Sequence, residues 1–276
     1  MTALSIFLVS VIQGLTEFLP VSSSGHLILL PSLSGLADQG QTADVAAHLG
    51  TLAAVMLYLR ADLIKMAASL LPRADADKTA RRLVGLLILA SLPVIIAGLA
   101  VELAAPSVLR LAMTVAAANV VFALWLFWAD RQPVRHHLHE GGTGFDWSQL
   151  TIRQAVLIGF AQICALIPGA SRSGVTMTMA RQLGLDRLSA ARFSLLLSIP
   201  VISGAAVVKL AGLISADTPP DIASLAAVIL LSFLFALGAI RWMMGWLAKA
   251  SFTIFVVYRL GLGVVLFALI GSGVIS

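Results

Sequence analysis

Two stretches of this chain carry residues whose types and spacing can do chemistry. The first runs from Gln13 to His26, Gln-Gly-Leu-Thr-Glu-Phe-Leu-Pro-Val-Ser-Ser-Ser-Gly-His. It sets a carboxylate, three serines and a histidine inside an apolar run. The second runs from Gln162 to Thr178 and contains Pro168-Gly169-Ala170-Ser171-Arg172-Ser173-Gly174-Val175-Thr176. Ionisable groups in such surroundings are costly and mark a site. Brought together, the two stretches would make one site for an anionic ligand.

Gln13 and Glu17 are four apart and share a helix face. Glu17 is either a packing-locked, hydrogen-bonded carboxyl or an ionised one beside Arg172 or a divalent cation. Ser22, Ser23 and Ser24 can offer hydroxyls and backbone N–H groups to an oxyanion, and one of them can instead be an N-cap. His26 can attack phosphorus or carry a proton, or simply be hydrogen-bonded. Arg172, flanked by Ser171, Ser173 and Thr176, suits a phosphate through its bidentate fork. The plainer reading of Arg172 is a structural ion pair with Glu17. Asp44 and His48, also four apart, either line an outer mouth or sit at an interface. Arg259 is expected to snorkel from the last span. The Met177/Met179 and Phe233/Phe235 pairs read as packing.

The elements that must position these groups are membrane helices. The 276 residues are 59% hydrophobic and 11% charged, against about 25% charged in a soluble domain. Long, continuous apolar runs favour helices over a barrel. The net charge of +5 fits cytoplasmic loops better than a nucleic-acid surface. Cys164 is the only cysteine and cannot form an internal disulfide. The N-terminal residues lack a basic n-region, so no cleaved signal peptide is expected.

Apolar runs predict spans over residues 44–59, 83–103, 109–129, 194–214, 222–240 and 253–270. Pro93 is a predicted kink, and Trp125 and Trp128 an interface pair. Residues 60–82 and 130–153 are expected to be basic cytoplasmic loops, the latter with a His136/His137/His139 cluster that is either solvated or metal-binding. Residues 1–33 and 152–183 break at Pro20 with Ser22–Gly25 and at Pro168-Gly169, and predict re-entrant hairpins. The expected fold is an all-α polytopic membrane protein with six transmembrane helices plus two re-entrant helical hairpins in an inverted-topology repeat. It forms a single membrane domain, with a first repeat near residues 1–129, a cytoplasmic loop near 130–152 and a second repeat near 153–276. Gln13 and Gln162, Ser22 and Ser171, Ser24 and Ser173, and Gly25 and Gly174 share one offset, while Pro20 and Pro168 miss it by one. Charge bias makes the first hairpin enter from outside and the second from the cytoplasm, with Arg110 and Lys209 as exceptions. Such repeats place a site where the broken helices meet. These arguments do not separate hydrolysis from transport.

Both stretches resemble the signatures of the undecaprenyl-pyrophosphate phosphatase family, also called bacitracin-resistance proteins. The matching residues are Gln13 to Glu17 running into Phe18-Leu19-Pro20-Val21-Ser22-Ser23-Ser24-Gly25-His26, and Pro168 to Thr176. Leu49-Gly50-Thr51, Gln162 to Leu166, Ile199-Pro200 and Tyr258-Arg259 also fit. The resemblance implies hydrolysis of undecaprenyl pyrophosphate to the monophosphate at the outer side of the bacterial plasma (inner) membrane, recycling the cell-wall carrier lipid and conferring bacitracin resistance. It implies a divalent cation, Mg2+ or Ca2+, held by Glu17 with Gln13. His26 is the implied catalytic group, with Ser23 as runner-up and metal-activated water as a third choice. Ser171, Arg172, Ser173 and Thr176, with Ser22 and Ser24, would hold the pyrophosphate. The implied partners are a polyprenyl pyrophosphate lipid and membrane lipids, with no nucleic acid and a homodimer left open. Gln13 stands where many members have Glu, His48 where Gln is expected, and Asp44 where Glu is common. These departures bear on metal and pH preference. A transporter or flippase of a polyprenyl phosphate or another anion is the alternative, and a non-catalytic scaffold a weaker one.

Overall fold

The computed structural model describes residues 2–27, 29, 40–72, 77–104, 111–136, 138, 145–213 and 221–275. Among them no extended strand is present, and His136 and Leu185 form an isolated bridge. The helices are α1 (Ala3–Thr16), α2 (Ser23–Leu27), α3 (Gly40–Tyr58), α4 (Arg60–Ser69), α5 (Lys78–Ala104), α6 (Ala112–Asp130), α7 (Ile152–Gln162), α8 (Arg172–Gln182), α9 (Arg187–Leu213), α10 (Ile222–Leu247) and α11 (Thr253–Gly271). A 3-10 turn, Ile163–Leu166, follows α7 directly.

Five helices are long and apolar enough to cross a membrane, namely α5, α6, α9, α10 and α11. The expected first span differs. Thr42–Tyr58 counts only together with Arg60–Ser69, from which it is bent by 77°. The reason is local: α3 begins with Gln41, Thr42, Asp44 and His48, so its apolar run is short. Residues 60–69, expected to be loop, are helical because Leu63, Ile64, Met66 and the alanines are good helix formers. Three long helices also outrun their apolar stretches. α5 starts at Lys78 and α9 at Arg187, while α10 ends at Leu247. Helices stop at caps rather than at the lipid boundary. Asp77 Oδ1 accepts from Ala80 N at 3.0 Å, and Asp186 Oδ1 from Ser189 N at 3.0 Å. The helix remains continuous through Pro93. His137 and His139 lie outside the described residues, and so does Arg110.

The short apolar helices α1 and α7 pack in matching ways. α1 lies on α10 and α7 on α5, while α3 lies on α10 and α9 on α5. α3 meets α9, and α6 meets α11. Small residues permit the closest approaches. A Cβ on Gly50 would stand 2.3 Å from the Ile229 carbonyl oxygen, and one on Gly159 2.4 Å from that of Ala90. Outward faces of the long helices expose Ile96, Val121, Leu230, Val257 and Val264, as lipid-covered helices do.

The basic end of the bundle is tied by one carboxylate. Asp130, buried at the end of α6, accepts from Arg181 Nε at 3.3 Å and from Arg187 Nε at 2.7 Å. It also accepts from the backbone N–H of Phe252 at 3.1 Å. The ends of α6, α8, α9 and α11 therefore meet on one group. Arg181 further donates to the carbonyls of Asp130, Gln132 and Leu185. Removing the acid would strand a buried guanidinium, which costs about 3–5 kcal/mol. Asp130→Ala is expected to lower the thermal unfolding temperature in detergent sharply, while Asp146→Ala, which removes only the cap of a single 3-10 turn, should lower it far less.

Candidate functional site

Each hairpin breaks at a serine with positive φ. Ser22 has φ 73° and Ser171 φ 69°, and they are the two non-glycine residues with positive φ among the described residues. Each then caps the helix it opens. Ser22 Oγ accepts from Gly25 N at 3.3 Å and Ser171 Oγ from Gly174 N at 3.1 Å. The left-handed turn costs of order 1 kcal/mol for a residue with a Cβ, and the cap returns about as much. The shared offset read from sequence thus extends to matching φ angles at the two serines.

The two breaks meet through Glu17 and Arg172. Arg172 Nη2 lies 3.0 Å from Glu17 Oε1, and both side chains are largely buried. Gln13 Nε2 donates to Glu17 Oε2 at 2.7 Å. The same amide nitrogen is 3.1 Å from His48 Nε2, whose other ring nitrogen donates to the Asp44 carbonyl at 2.7 Å. His48 Nδ1 therefore carries a proton, and its Nε2 also lies 3.7 Å from Glu17 Oε2. Ser173 Oγ donates to the Leu19 carbonyl at 2.9 Å, a second stitch between the hairpins. Phe18 packs under the guanidinium, 5.8 Å from ring centroid to Cζ.

A cavity of about 370 Å3 opens beside this pair. Gln13, Glu17, Ser23, His48, Ser171 and Arg172 supply its polar wall, and Ile167, Pro168, Val201 and Ile202 much of its apolar one. Asp44 and Lys209 also line it. Two atoms of this wall are buried without a partner, Arg172 Nη1 and Gln13 Oε1. A donor and an acceptor left open beside a cavity suit a ligand that supplies both an anionic oxygen and a cation.

The expected site residues divide into two groups. Gln13, Glu17, Ser23, Ser171 and Arg172 converge on the cavity. Ser22 is buried as a cap. Ser173 faces the first hairpin, and Thr176 hydrogen-bonds Ser194 Oγ on α9 at 2.7 Å. The side chain of Ser24 lies outside what is described. His26 is not among the lining residues. Its Nδ1 donates to the Ser22 carbonyl at 2.7 Å, and its Nε2 accepts from Tyr258 Oη at 2.6 Å. The two rings are stacked, with centroids 5.6 Å apart.

Arg259 corrects the snorkelling expectation. It is fully buried. Nε donates to Asn119 Oδ1 at 3.0 Å, and Nη2 to the carbonyls of Gly169 and Ala170 at 2.9 and 3.1 Å. It braces the second break from behind, and Asn119 Nδ2 returns a bond to the Arg259 carbonyl at 2.7 Å. The signal was present in the sequence, because an arginine nearly two turns inside an apolar helix is a functional candidate by default. Asn119 in the middle of the span over 109–129 was a second signal.

For a divalent cation the donor set is sparse. Among the described residues no three His, Cys, Asp or Glu side chains converge. Glu17 and the open Gln13 Oε1 remain, one carboxylate and one amide oxygen. That set fits a hard ion that takes its other ligands from water and phosphate oxygens, as Mg2+ does.

Ser171→Ala removes one cap and should cost about 1 kcal/mol of stability. Arg259→Met leaves Asn119 Oδ1 and two carbonyls without donors and should cost about 3 kcal/mol. Thermal unfolding in detergent ranks the two variants; an equal or reversed order contradicts the bracing role of Arg259.

Comparison with known proteins bears on this arrangement. Residues 6–265 match the model of the family described as bacitracin resistance protein BacA. The chain is 46% identical over 273 residues to an undecaprenyl-diphosphatase of Jannaschia sp. (strain CCS1), covering 96% of this chain and 98% of that one. It is 45% identical over 271 residues to an undecaprenyl-diphosphatase of Magnetococcus marinus (strain ATCC BAA-1437 / JCM 17883 / MC-1), covering 96% and 97%. It is 40% identical over 268 residues to one of Alteromonas mediterranea (strain DSM 17117 / CIP 110805 / LMG 28347 / Deep ecotype), covering 96% and 98%. The family match runs through both serine-capped breaks and the helices that carry Asp44, His48, Asn119 and Arg259, so the chain belongs to the BacA family of bacitracin resistance proteins.

Proposed function

We propose that this protein is an undecaprenyl-diphosphatase. It hydrolyses undecaprenyl pyrophosphate to undecaprenyl phosphate and inorganic phosphate, recycles the carrier lipid of cell-wall synthesis and confers bacitracin resistance. The observation that carries this reading is the Glu17–Arg172 pair, contributed by two different breaks and opening onto one cavity. Full-length relatives that bear the activity in their names support it.

The chemistry follows from the groups at the wall. Phosphoryl transfer demands charge neutralisation and alignment more than covalent complexity. Arg172 is a bidentate donor with Nη1 open to a phosphate oxygen. When the pyrophosphate binds, it displaces part of the bond to Glu17 and frees that carboxylate. Glu17 then accepts the proton of the attacking group. Ser23 stands on the cavity wall, which supports its hydroxyl, or a water beside it, as the nucleophile. The P–O bond to the bridging oxygen breaks, and the carrier monophosphate leaves with that oxygen. The terminal phosphoryl group passes either directly to water, giving inorganic phosphate, or first to Ser23 Oγ, from which a second water, deprotonated by Glu17, releases it. His26, with its ring nitrogens on the Ser22 carbonyl and Tyr258, acts by holding the first break rather than by touching the phosphate. The other expected phosphate residues act indirectly: Ser22 and Ser171 fix the two breaks, while Ser173 and Thr176 hold the second hairpin against the first and against α9. Glu17 and Gln13 would hold a divalent cation, Mg2+ or Ca2+, which supplies charge neutralisation to the phosphates when bound.

For topology, we propose six spans, with α3 as the first, and two re-entrant hairpins, α1–α2 and α7–α8, in an inverted repeat. The exchange of packing partners between halves and the matched φ of Ser22 and Ser171 support it. Lys78, Arg81, Arg82, Arg131, Arg187 and Arg241 cluster at one end of the helices, which supports that end as cytoplasmic. The Glu17 cavity then faces the exterior, where the substrate's headgroup is presented and the C55 tail lies in lipid. Transport of an anion is the second reading, favoured by the same symmetry.

The test is phosphate release from undecaprenyl or farnesyl pyrophosphate by purified protein, with and without EDTA. Glu17→Gln and Arg172→Ala should each lose at least about a hundredfold in kcat/KM, and EDTA should abolish release. Ser23→Ala should lose more activity than His26→Ala. The opposite order would return the nucleophile's role to His26. Absence of release by folded wild type would leave the transport reading in front.

A further inference from the structure

The basic end of the bundle holds a second cavity, of about 620 Å3, larger than the one beside Glu17. It lies where the end of α3, the helix α4, the start of α5, the start of α9 and the end of α10 meet. No residue lines both cavities. The charged residues around it are Lys65, Arg192 and Arg241 against Asp62 and Asp77. Asp77 is engaged as the cap of α5. Asp62 pairs with Arg192. Lys65 and Arg241 form no ion pair among the described residues. Among the described residues, these two cations of the wall have no carboxylate partner.

Arg192 is built into that wall rather than free on it. Its side chain is only 15% exposed. Its Cζ lies 4.4 Å from the centroid of Phe145, and its Nε is buried without a partner. Phe145 stacks on Trp147 with centroids 5.5 Å apart, and the Trp147 carbonyl accepts from Arg82 Nη1 at 3.1 Å. Beneath this charged rim lie Met66, Leu83 and Met244. A clamped guanidinium whose Nε has no partner, two exposed cations that pair with no described carboxylate, and apolar residues in the same wall describe a receptor for a phosphate group attached to an apolar body. Basic pockets between helices at the charged face of a membrane bind lipid headgroups in this way.

We infer that this cavity binds the phosphate group of an anionic phospholipid, separately from the catalytic cavity. The bound headgroup bridges Lys65 of α4, Arg192 of α9 and Arg241 of α10. Met66, partly exposed in the same wall, favours a lipid, because inorganic phosphate has no apolar body to cover it.

Native mass spectrometry of the full chain in detergent tests this with three probes: phosphatidylglycerol, phosphatidylcholine and inorganic phosphate. Wild type should retain phosphatidylglycerol in preference to phosphatidylcholine. The Lys65→Gln/Arg241→Gln double variant should lose phosphatidylglycerol affinity by about tenfold or more and keep its weak retention of phosphatidylcholine. The single variant Arg241→Gln should show part of the same loss, so the test stands if the double variant is unstable. Equal retention of both lipids by wild type overturns the proposal, as does unchanged phosphatidylglycerol binding by a folded double variant. Displacement of the lipid by millimolar inorganic phosphate would reassign the cavity to the free anion. None of these readouts depends on phosphatase activity.

Discussion

A charge pair inside a molecule solvated by lipid is the constraint on which the rest of this structure depends. Glu17 and Arg172 come from segments 155 positions apart and would each be costly alone at that depth. Each is held only because the other is present. The pair forces both broken helices to end at one place. Gln13, His48, Ser173 and the backbone satisfy most of the surrounding polar shell from within, and Arg172 Nη1 and Gln13 Oε1 are left without partners. In the proposed reaction the same pair is opened by the substrate, so the structural tie and the chemistry use one interaction.

A broken helix in a membrane exposes backbone groups that water does not reach. Here the repair is done twice by the same device, a left-handed serine that caps the helix it starts. The second break carries an additional brace from Arg259, which takes the carbonyls of Gly169 and Ala170. The first break has the His26–Tyr258 contact nearby, reaching to the same helix, α11. Both breaks thus lean on adjacent residues of one helix. The tight helix contacts at Gly50 and Gly159 hold this framework close enough for the bonds to form.

Much of the site was legible in sequence because polar groups in an apolar run are conspicuous. Gln13, Glu17, Ser171 and Arg172 stand out by type and spacing alone, and the shared offset between the stretches announces the repeat. What was not legible is direction. Nothing in the spacing of Ser22, Ser23 and Ser24 says which one caps, and the structure gives that role to Ser22. His26 follows a break, yet its ring turns to Tyr258, 232 positions away, a contact no local pattern encodes. Arg259 departs from the general habit of arginines because it stands nearly two turns inside its helix, where partners on other segments bury it. The helix extensions beyond the lipid boundary were hidden for a different reason: apolar runs report where lipid ends, and caps such as Asp77 and Asp186 decide where helices do. The bend after Tyr58 falls where no proline or glycine marks it.

The most direct test of the account is a double-mutant cycle on Glu17→Gln and Arg172→Gln, read as kcat/KM for phosphate release from undecaprenyl pyrophosphate. Residues that act as one unit lose most of the rate in the first substitution, so losses do not multiply. The account predicts that the double variant is no more than a few-fold worse than the poorer single variant. Losses that multiply would contradict it, placing Glu17 and Arg172 in independent roles and leaving the two hairpins without a common site.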